Sequence, residues 1–361
     1  MNTDIRKTVK IAAARTGHNR PPAEANAYNP GFMTEVAKKH MKAAKKHAES
    51  NLDRTLAAYH MAGEAGADVV VSVEYALNFG DFGSLEKQKI LKEMLETIPG
   101  PATEKVSEIS KKFKMFTATN LLERDGDNIF NTTVFIGREG KIIGKYRKIH
   151  LPAYESWYTT PGTQYPVFET DIGRIGFSIC HDIAFPEHCR SMALSGADII
   201  LHATAGWGFV TNHTLGRALL QVRATENCVY IANAYTMNHV LSDSCSCIVS
   251  NRGVILTEND SRTEDGIAIA EINPDYEMLS DDIMWNFMSG VQSERMRFML
   301  ERYPAAYYMI ADTSPPLSKK YYAQYKYAKT PEDLVDISRQ YDTARLDEFN
   351  GIENELFNKK W

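Results

Sequence analysis

No apolar run in this chain approaches the roughly 20 residues needed to span a bilayer, so no transmembrane helix is read. A basic excess is missing too. The 361 residues carry 41 Lys and Arg against 46 Asp and Glu, a formal net charge of −5, and nothing points to nucleic acid. The first residues, MNTDIRKTVKIAAARTG, lack an apolar segment followed by a small-residue cleavage site, and no secretory signal is read. Cysteine is scarce and odd in number: Cys180, Cys189, Cys228, Cys245 and Cys247. In a large chain without a signal such thiols are expected to stay reduced, in the cytoplasm. Internal repeats and low-complexity segments are absent, as is a GxxxxGK[ST] phosphate loop, so no nucleotide-fed ligase segment is expected. No cofactor is called for, nor a membrane or nucleic-acid partner.

What is present is ample apolar material, 43% of residues, enough for one large domain or two small ones. Val9 to Ala14 and Ala67 to Val73 read as buried strands, separated by a helix over Thr34 to Gly66 whose early part, KKHMKAAKKH, is strongly basic and is read as a solvated face. Helices are expected over Ser84 to Thr97 and Thr103 to Phe113, with Pro99-Gly100-Pro101 as the stop between them. A strand over Met115 to Leu122 follows, then a hairpin of Thr132 to Gly137 and Lys141 to Tyr146. Further strands are read at Pro166 to Glu169, Arg174 to Ile179, Asp198 to His202 and Cys228 to Ala234, with helices over Phe185 to Ser195 and Thr211 to Glu226 between them. A last hairpin is expected from Cys245 to Leu256 and Gly266 to Ile272. Hairpins that interrupt a βα rhythm suit two stacked mixed sheets with helices outside, better than one doubly wound sheet. Residues 1–310 are read as one domain. Residues 311–361, Tyr-, Lys- and Pro-rich and then polar, are read as a C-terminal extension suited to a subunit contact.

Three reactive side chains each end a β-rich apolar run: Glu74 in VVVSVEYA, Lys148 in GKYRKIHLP and Cys180 in GFSICHDIAFPE. A carboxylate, an ammonium and a thiol brought together make a nucleophilic site for acyl chemistry. Glu74 could take the thiol proton and return it to a leaving amine. Lys148 could favour the thiolate and stabilise an oxyanion. Cys180 at a strand-to-helix elbow would feel a helix N-terminus, which also favours thiolate.

Those three segments, in that order, closely resemble the signature segments of the nitrilase superfamily of carbon–nitrogen hydrolases. The resemblance extends to IPGPATEKVSEISKKF, NTTVFIGREGKIIGKYRK and RATENCVYIANA, and covers roughly Val9 to Ile272. It implies a four-layer α-β-β-α sandwich and a Glu–Lys–Cys set: Glu74 as general base, Lys148 as oxyanion stabiliser and Cys180 as the acylated nucleophile. It further implies an oxyanion contact from the backbone N–H of His181. A second glutamate, Glu155 in AYESWYTTPG, would orient Lys148 or position water. It also implies a homo-oligomer, a dimer or larger. The chain departs from the family where an early Gln usually follows the first strand, since the run here reads AAARTGHNR.

The reaction class that follows is attack on a carbon bound to nitrogen, release of ammonia or amine, and hydrolysis of a thioester. His181-Asp182 after the cysteine resembles amidase-type branches rather than the Trp-Glu of nitrilases. Ile183 and Ala184 offer no Arg for a carboxylate, so a neutral carboxamide or N-carbamoyl compound is expected as the small-molecule substrate. Trp157, Tyr158 and Trp207 would wall an apolar acyl pocket. A nitrile substrate, or passage of the acyl group to an acceptor other than water, stays open. A metal held by Cys180, His181, His188 and Cys189 is not expected: the spacing is unusual and metal would quench the nucleophile.

Overall fold

The computed structural model describes residues 8–17, 33–77, 95–152, 155–205, 213–237, 245–274 and 293–311. The chain divides into two compact units, Met1–Glu301 and Arg302–Trp361. Among the described residues the first unit holds twelve strands: β1 (Val9–Arg15), β2 (Val69–Val71), β3 (Phe116–Asp125), β4 (Asn128–Ile136), β5 (Ile142–Arg147), β6 (Phe168–Thr170), β7 (Gly173–Ile179), β8 (Ile199–Thr204), β9 (Tyr230–Tyr235), β10 (Ser246–Val249), β11 (Ile255–Asn259) and β12 (Gly266–Ile272). They form two six-stranded mixed sheets, ordered β12-β1-β2-β3-β4-β5 and β11-β10-β9-β8-β7-β6. The described helices of this unit are α1 (Met33–Glu64), α2 (Pro101–Phe113), α3 (Pro186–Leu194), α4 (His213–Asn227) and α5 (Glu294–Leu300). The described part of the second unit holds a 3-10 turn at Pro304–Ala306 and a short α6 (Tyr308–Ala311).

The period of two along a strand builds the layers. Val9, Ile11 and Ala13 of β1, Val69 and Val71 of β2, and Phe135 of β4 enter the core between the sheets, where they join Ile175, Phe177 and Ile179 of β7. The intervening Ala12, Val70, Val134 and Ile136 face the other way, against Leu52, Tyr59 and Ala62 of α1 and Ala102, Val106 and Ile109 of α2. Met192 and Ala193 of α3 and Leu220 and Ala224 of α4 cover the second sheet. The result is the α-β-β-α sandwich expected from sequence.

Local signals explain most boundaries. Past α1 the chain turns at Gly66, whose φ of +75° suits a residue without Cβ, while the Ala67 N–H reaches back to the Ala62 carbonyl. α2 begins at Pro101, earlier than the Thr103 expected. A proline at the first helical position has no N–H to lose there, and the Ala102 N–H is taken by Glu96 Oε2 at 2.8 Å.

Two expectations change. The last hairpin pairs β10 with β11, turned at Ser250–Gly253, whereas β12 leaves it and runs antiparallel to β1 in the other sheet. The helix expected over Ser84 to Thr97 lies largely outside the described residues, and its described end at 95–97 is not helical: Glu96 bridges to Glu123. Within the basic run of α1 the described side chain, Lys46, is exposed, and the others lie outside the described residues.

Candidate active site

Glu74, Lys148 and Cys180 each sit just past a strand end, where the backbone leaves the ladder, and Glu155 lies in the connection between β5 and β6. Glu74 follows β2 in a turn whose next residue, Tyr75, has φ +57°. Lys148 follows β5. Glu155 opens a 3-10 turn over Glu155–Trp157. Cys180 follows β7 and opens a second 3-10 turn, Cys180–Ala184, before α3. The cysteine holds φ +45°, a left-handed conformation that costs a residue with a Cβ about 1–2 kcal/mol. That intervening turn means Cys180 does not stand directly at the N-terminus of α3.

The structure brings the four together. Lys148 Nζ donates to Glu74 Oε1 at 2.8 Å and to Glu155 Oε2 at 2.6 Å. The Cys180 thiol lies beside the Glu74 carboxylate, the Lys148 ammonium and the Thr204 side chain, close enough for each to act on its proton. Glu74, Lys148, Glu155 and Cys180 are 1, 1, 0 and 3% exposed, so their charges meet almost without water.

Two asparagines that sequence reading missed complete the set. Asn131 Nδ2 donates to Glu74 Oε1 at 2.9 Å and to Glu155 Oε1 at 2.7 Å. Asn120 Oδ1 accepts from the Tyr75 N–H at 2.6 Å, and its Nδ2 donates to Asn131 Oδ1 at 2.8 Å. Glu155 Oε1 also accepts from the Tyr75 hydroxyl at 3.1 Å, and Glu74 Oε2 from the Ala205 N–H at 2.9 Å. The only sign in the sequence was an Asn in the middle of each of two apolar, β-rich runs, TATNLL and IFNTTVF, where a side chain must be buried.

Electrostatics follow from this packing. Burial works against the Lys148 charge, but Glu155, Glu74 and Cys180 outweigh it and hold the ammonium well above its ordinary pKa. Burial pushes the Glu155 carboxyl up against the pull of Lys148, with Glu74 adding to the rise. Burial, then the neighbouring Glu74 carboxylate, push the Cys180 thiol up to about 12 against the attraction of Lys148. Against the thiolate expected from a nearby helix end, these surroundings favour the neutral thiol.

Of the remaining candidates, His181 is half-buried, with its ring edge-on to Phe185 at 5.2 Å between centroids. Burial, then Lys148, lower its pKa and keep the imidazole neutral. Tyr158 is buried in a small cluster with Tyr75, Leu122 and Ala205, beside the carboxylates. The backbone of Trp157 belongs to the Glu155 turn, and Trp207 lies outside the described residues. Arg15, in the run that departs from the family, is fully buried and donates to the carbonyls of Ser261 at 2.6 Å and Tyr235 at 3.4 Å.

Among the described residues one group has metal-ligating geometry: His150, Asp182 and His188, with ligand atoms within 4.8 Å of one another. It is not the Cys–His set weighed above. The Asp182 carboxylate is already occupied. Oδ2 accepts from the Tyr146 hydroxyl at 2.6 Å and the Ile179 N–H at 3.0 Å, while Oδ1 accepts from the His150 N–H at 2.9 Å and lies 2.9 Å from His150 Nδ1. This is a hydrogen-bond hub rather than an open coordination site.

A four-layer sandwich with a buried carboxylate, ammonium and thiol at the ends of its strands is the architecture of a nitrilase-type hydrolase. Residues 37–278 match the family described as carbon-nitrogen hydrolase, and the chain belongs to that family. It is 30% identical over 248 residues to a nitrilase of Pyrococcus abyssi, covering 67% of this chain and 90% of that one. It is 28% identical over 237 residues to the omega-amidase NIT2 of Bos taurus, covering 62% and 83%. A shorter stretch of 124 residues is 39% identical to a beta-ureidopropionase of Arabidopsis thaliana, covering 32% and 30%. Among solved structures, the NitFhit protein of C. elegans superposes with a TM-score of 0.62 at 21% identity, over 84% of this chain and 67% of that one. An amidase mutant from Nesterenkonia sp. AN1, with an acetamide moiety covalently added at its active-site cysteine, superposes with 0.57 at 21% identity, over 74% and 90%. No described helix is long and apolar enough to cross a membrane.

Proposed function

We propose that this carbon–nitrogen hydrolase cleaves a neutral carboxamide or N-carbamoyl compound through a thioester on Cys180. The observation that carries the reading is the Lys148 ammonium held between Glu74 and Glu155, with the Cys180 thiol beside it in a water-poor gap.

A neutral thiol pushed up to about 12 cannot wait as a thiolate; it must lose its proton as it attacks. Glu74, beside the thiol, takes that proton while Sγ bonds to the carbonyl carbon. The oxygen, now negative, is stabilised by Lys148 and the His181 N–H. Collapse breaks the carbon–nitrogen bond, and Glu74 returns the proton to the departing nitrogen. Water then gives its proton to Glu74 and its oxygen to the acyl carbon, and Cys180 recovers its proton. The sum is amide plus water to acid plus ammonia or amine. Glu155 holds Lys148 charged and aimed throughout. Trp157, Tyr158 and Trp207 are the proposed acyl-pocket wall.

Relatives named omega-amidase and beta-ureidopropionase support amide and carbamoyl substrates, and the acetamide adduct on a related amidase's cysteine supports a nucleophilic thiol at that position. The test is ammonia release from carboxamides, N-carbamoyl amines, N-carbamoyl amino acids and nitriles, run beside Cys180→Ala. Release from amides or carbamoyl compounds, lost in the variant, is the expected result. Turnover of nitriles alone would move the protein to nitrilase chemistry. Equal activity in the variant would remove Cys180 from the mechanism. Formation of a hydroxamate when hydroxylamine is added, with no acid product in its absence, would mean the acceptor is not water.

A further inference from the structure

We infer that Asp182 is a positioning residue that fixes Lys148 relative to Cys180 across the two sheets. The inference rests on the proposed roles of those two residues, but Asp182 itself touches neither the thiol nor the ammonium.

Lys148 follows β5 of the first sheet and Cys180 follows β7 of the second. Behind the site the sheets meet through apolar side chains, among them Phe135, Tyr146, Ile175 and Phe177. Such contacts are non-directional, so they oppose separation far more than sliding. Directional bonds at the site must set the register. Asp182 supplies three from one carboxylate. It stands in the 3-10 turn that Cys180 opens, yet its partners are Tyr146 and His150, two residues before and two after Lys148. The Lys148 backbone is thus gripped on both sides from the opposite sheet.

The fourth bond acts on the cysteine. Ile179 N–H to Asp182 Oδ2 closes the turn in which Cys180 is held at φ +45°, a conformation that surrounding structure must impose. A single carboxylate therefore braces the strained nucleophile and the lysine segment together. It is fully buried and remains charged: burial opposes this, but His188 and the bonds from His150 and Tyr146 hold its pKa far below the ordinary carboxylate range. Beneath it, His188 donates Nε2–H to the Phe177 carbonyl, leaving Nδ1 without a hydrogen-bond partner 3.8 Å from Asp182. That face supports the carboxylate electrostatically and adds no competing hydrogen bond. Other directional links between the sheets join Glu74 Oε2 to the Ala205 N–H and, from β1, the Ala14 carbonyl to the Ser246 hydroxyl and Arg15 to the Tyr235 carbonyl. Reacting groups displaced by about 1 Å lose on the order of a hundredfold in rate.

The experiment compares Asp182→Asn, Tyr146→Phe and their double variant with wild type, counting intact sites by stoichiometric alkylation of Cys180. Expected for Asp182→Asn is a fall in kcat per titrated site of about a hundredfold with KM within threefold. Tyr146→Phe should lose about five- to twentyfold, and the double variant no more than Asp182→Asn alone, since both remove the same bond. Alkylation by iodoacetamide, which needs no substrate turnover, should slow at least fivefold in Asp182→Asn. Asp182→Asn with wild-type kcat per site, or with fewer intact sites that alkylate and turn over normally, would reduce Asp182 to a fold-stabilising residue and overturn the inference. If Asp182→Asn does not fold, Tyr146→Phe decides by the same readouts, and kcat and alkylation within twofold of wild type overturn it. A wild type inactive on every amide would sink the proposed function, while the alkylation comparison would still judge Asp182.

Discussion

Asn120 donates its side-chain amide to the Asn131 side-chain oxygen Oδ1 at 2.8 Å, across β3 and β4, and this bond orients the site's carboxylates. With its oxygen engaged, Asn131 can only turn its NH₂ toward Glu74 and Glu155. Two negative groups on one ammonium would otherwise repel each other in a poorly screened gap. Replacing Asn131 with Ala leaves two buried carboxylates short of a donor. It should destabilise the protein by about 1–3 kcal/mol and lower kcat/KM by at least tenfold, read by urea unfolding and amide hydrolysis. An unchanged unfolding midpoint would mean that water or Lys148 replaces the amide.

Lys148→Met should be among the most destabilising substitutions in the chain, by about 3–5 kcal/mol, because it strands Glu74 and Glu155 without their shared cation. Cys180→Ala, by contrast, removes a strained neutral thiol and should leave the melting temperature within about 3 °C of wild type. Differential scanning calorimetry of both variants checks the contrast. Comparable melting temperatures would show that one carboxylate takes a proton at little cost.

The thiol of Cys180, pushed up to about 12, should show no thiolate absorbance near 240 nm below about pH 9 in the difference between wild type and Cys180→Ala. A step centred between about pH 4 and 8 would reveal a preformed thiolate and remove the need for concerted proton transfer to Glu74.

Asp198 should shape the acid limb of stability. It accepts from Arg174 Nε at 2.8 Å and from Arg295 of α5 at 2.6 Å. Burial opposes its charge, but Arg174 and then Arg295 outweigh burial and depress the pKa. A depressed carboxyl contributes stability that is present above the ordinary value of about 3.9 and is lost as pH falls through the lower folded value. Asp198→Asn should therefore be destabilised by about 1–3 kcal/mol at pH 7 and lose less than wild type on acidification below about pH 4. Thermal melts from pH 7 to 2 test this, and parallel curves would exclude the ion pair as the source.

Residues 311–361 are proposed to contribute to a homo-oligomer, together with α3 and α4, on which Leu194 and Val222 are 43 and 51% exposed. Truncation after Ala311 should reduce the assembly mass in light scattering. An unchanged mass would remove the extension from the interface.

Much of this protein was legible in its sequence for a local reason. β-branched and apolar runs alternating with helix-spaced ones dictate strands and helices, and three reactive residues at strand ends carry a family's order and wording. Glu74, Lys148 and Cys180 could be named because each stands in such a segment, and Glu155 because the resemblance places a second glutamate between the last two. Where β12 pairs could not be read, since a strand's pattern states that one face is buried but not against which sheet. Asn120 and Asn131 were passed over, and Asp182 was read only as a mark of the amidase-type branches, for a related reason: a buried polar side chain is defined by its partner, and Asn120 meets Asn131, or Asp182 meets Tyr146, only once two strands or two sheets are paired. The state of Cys180 was misread because sequence offered a nearby helix and a cation but not the loss of water. The residues and their chemistry were determined by the sequence, whereas desolvation, the direction of each hydrogen bond and the register between sheets were decided by the tertiary structure, because each depends on groups far apart in the chain meeting at one point.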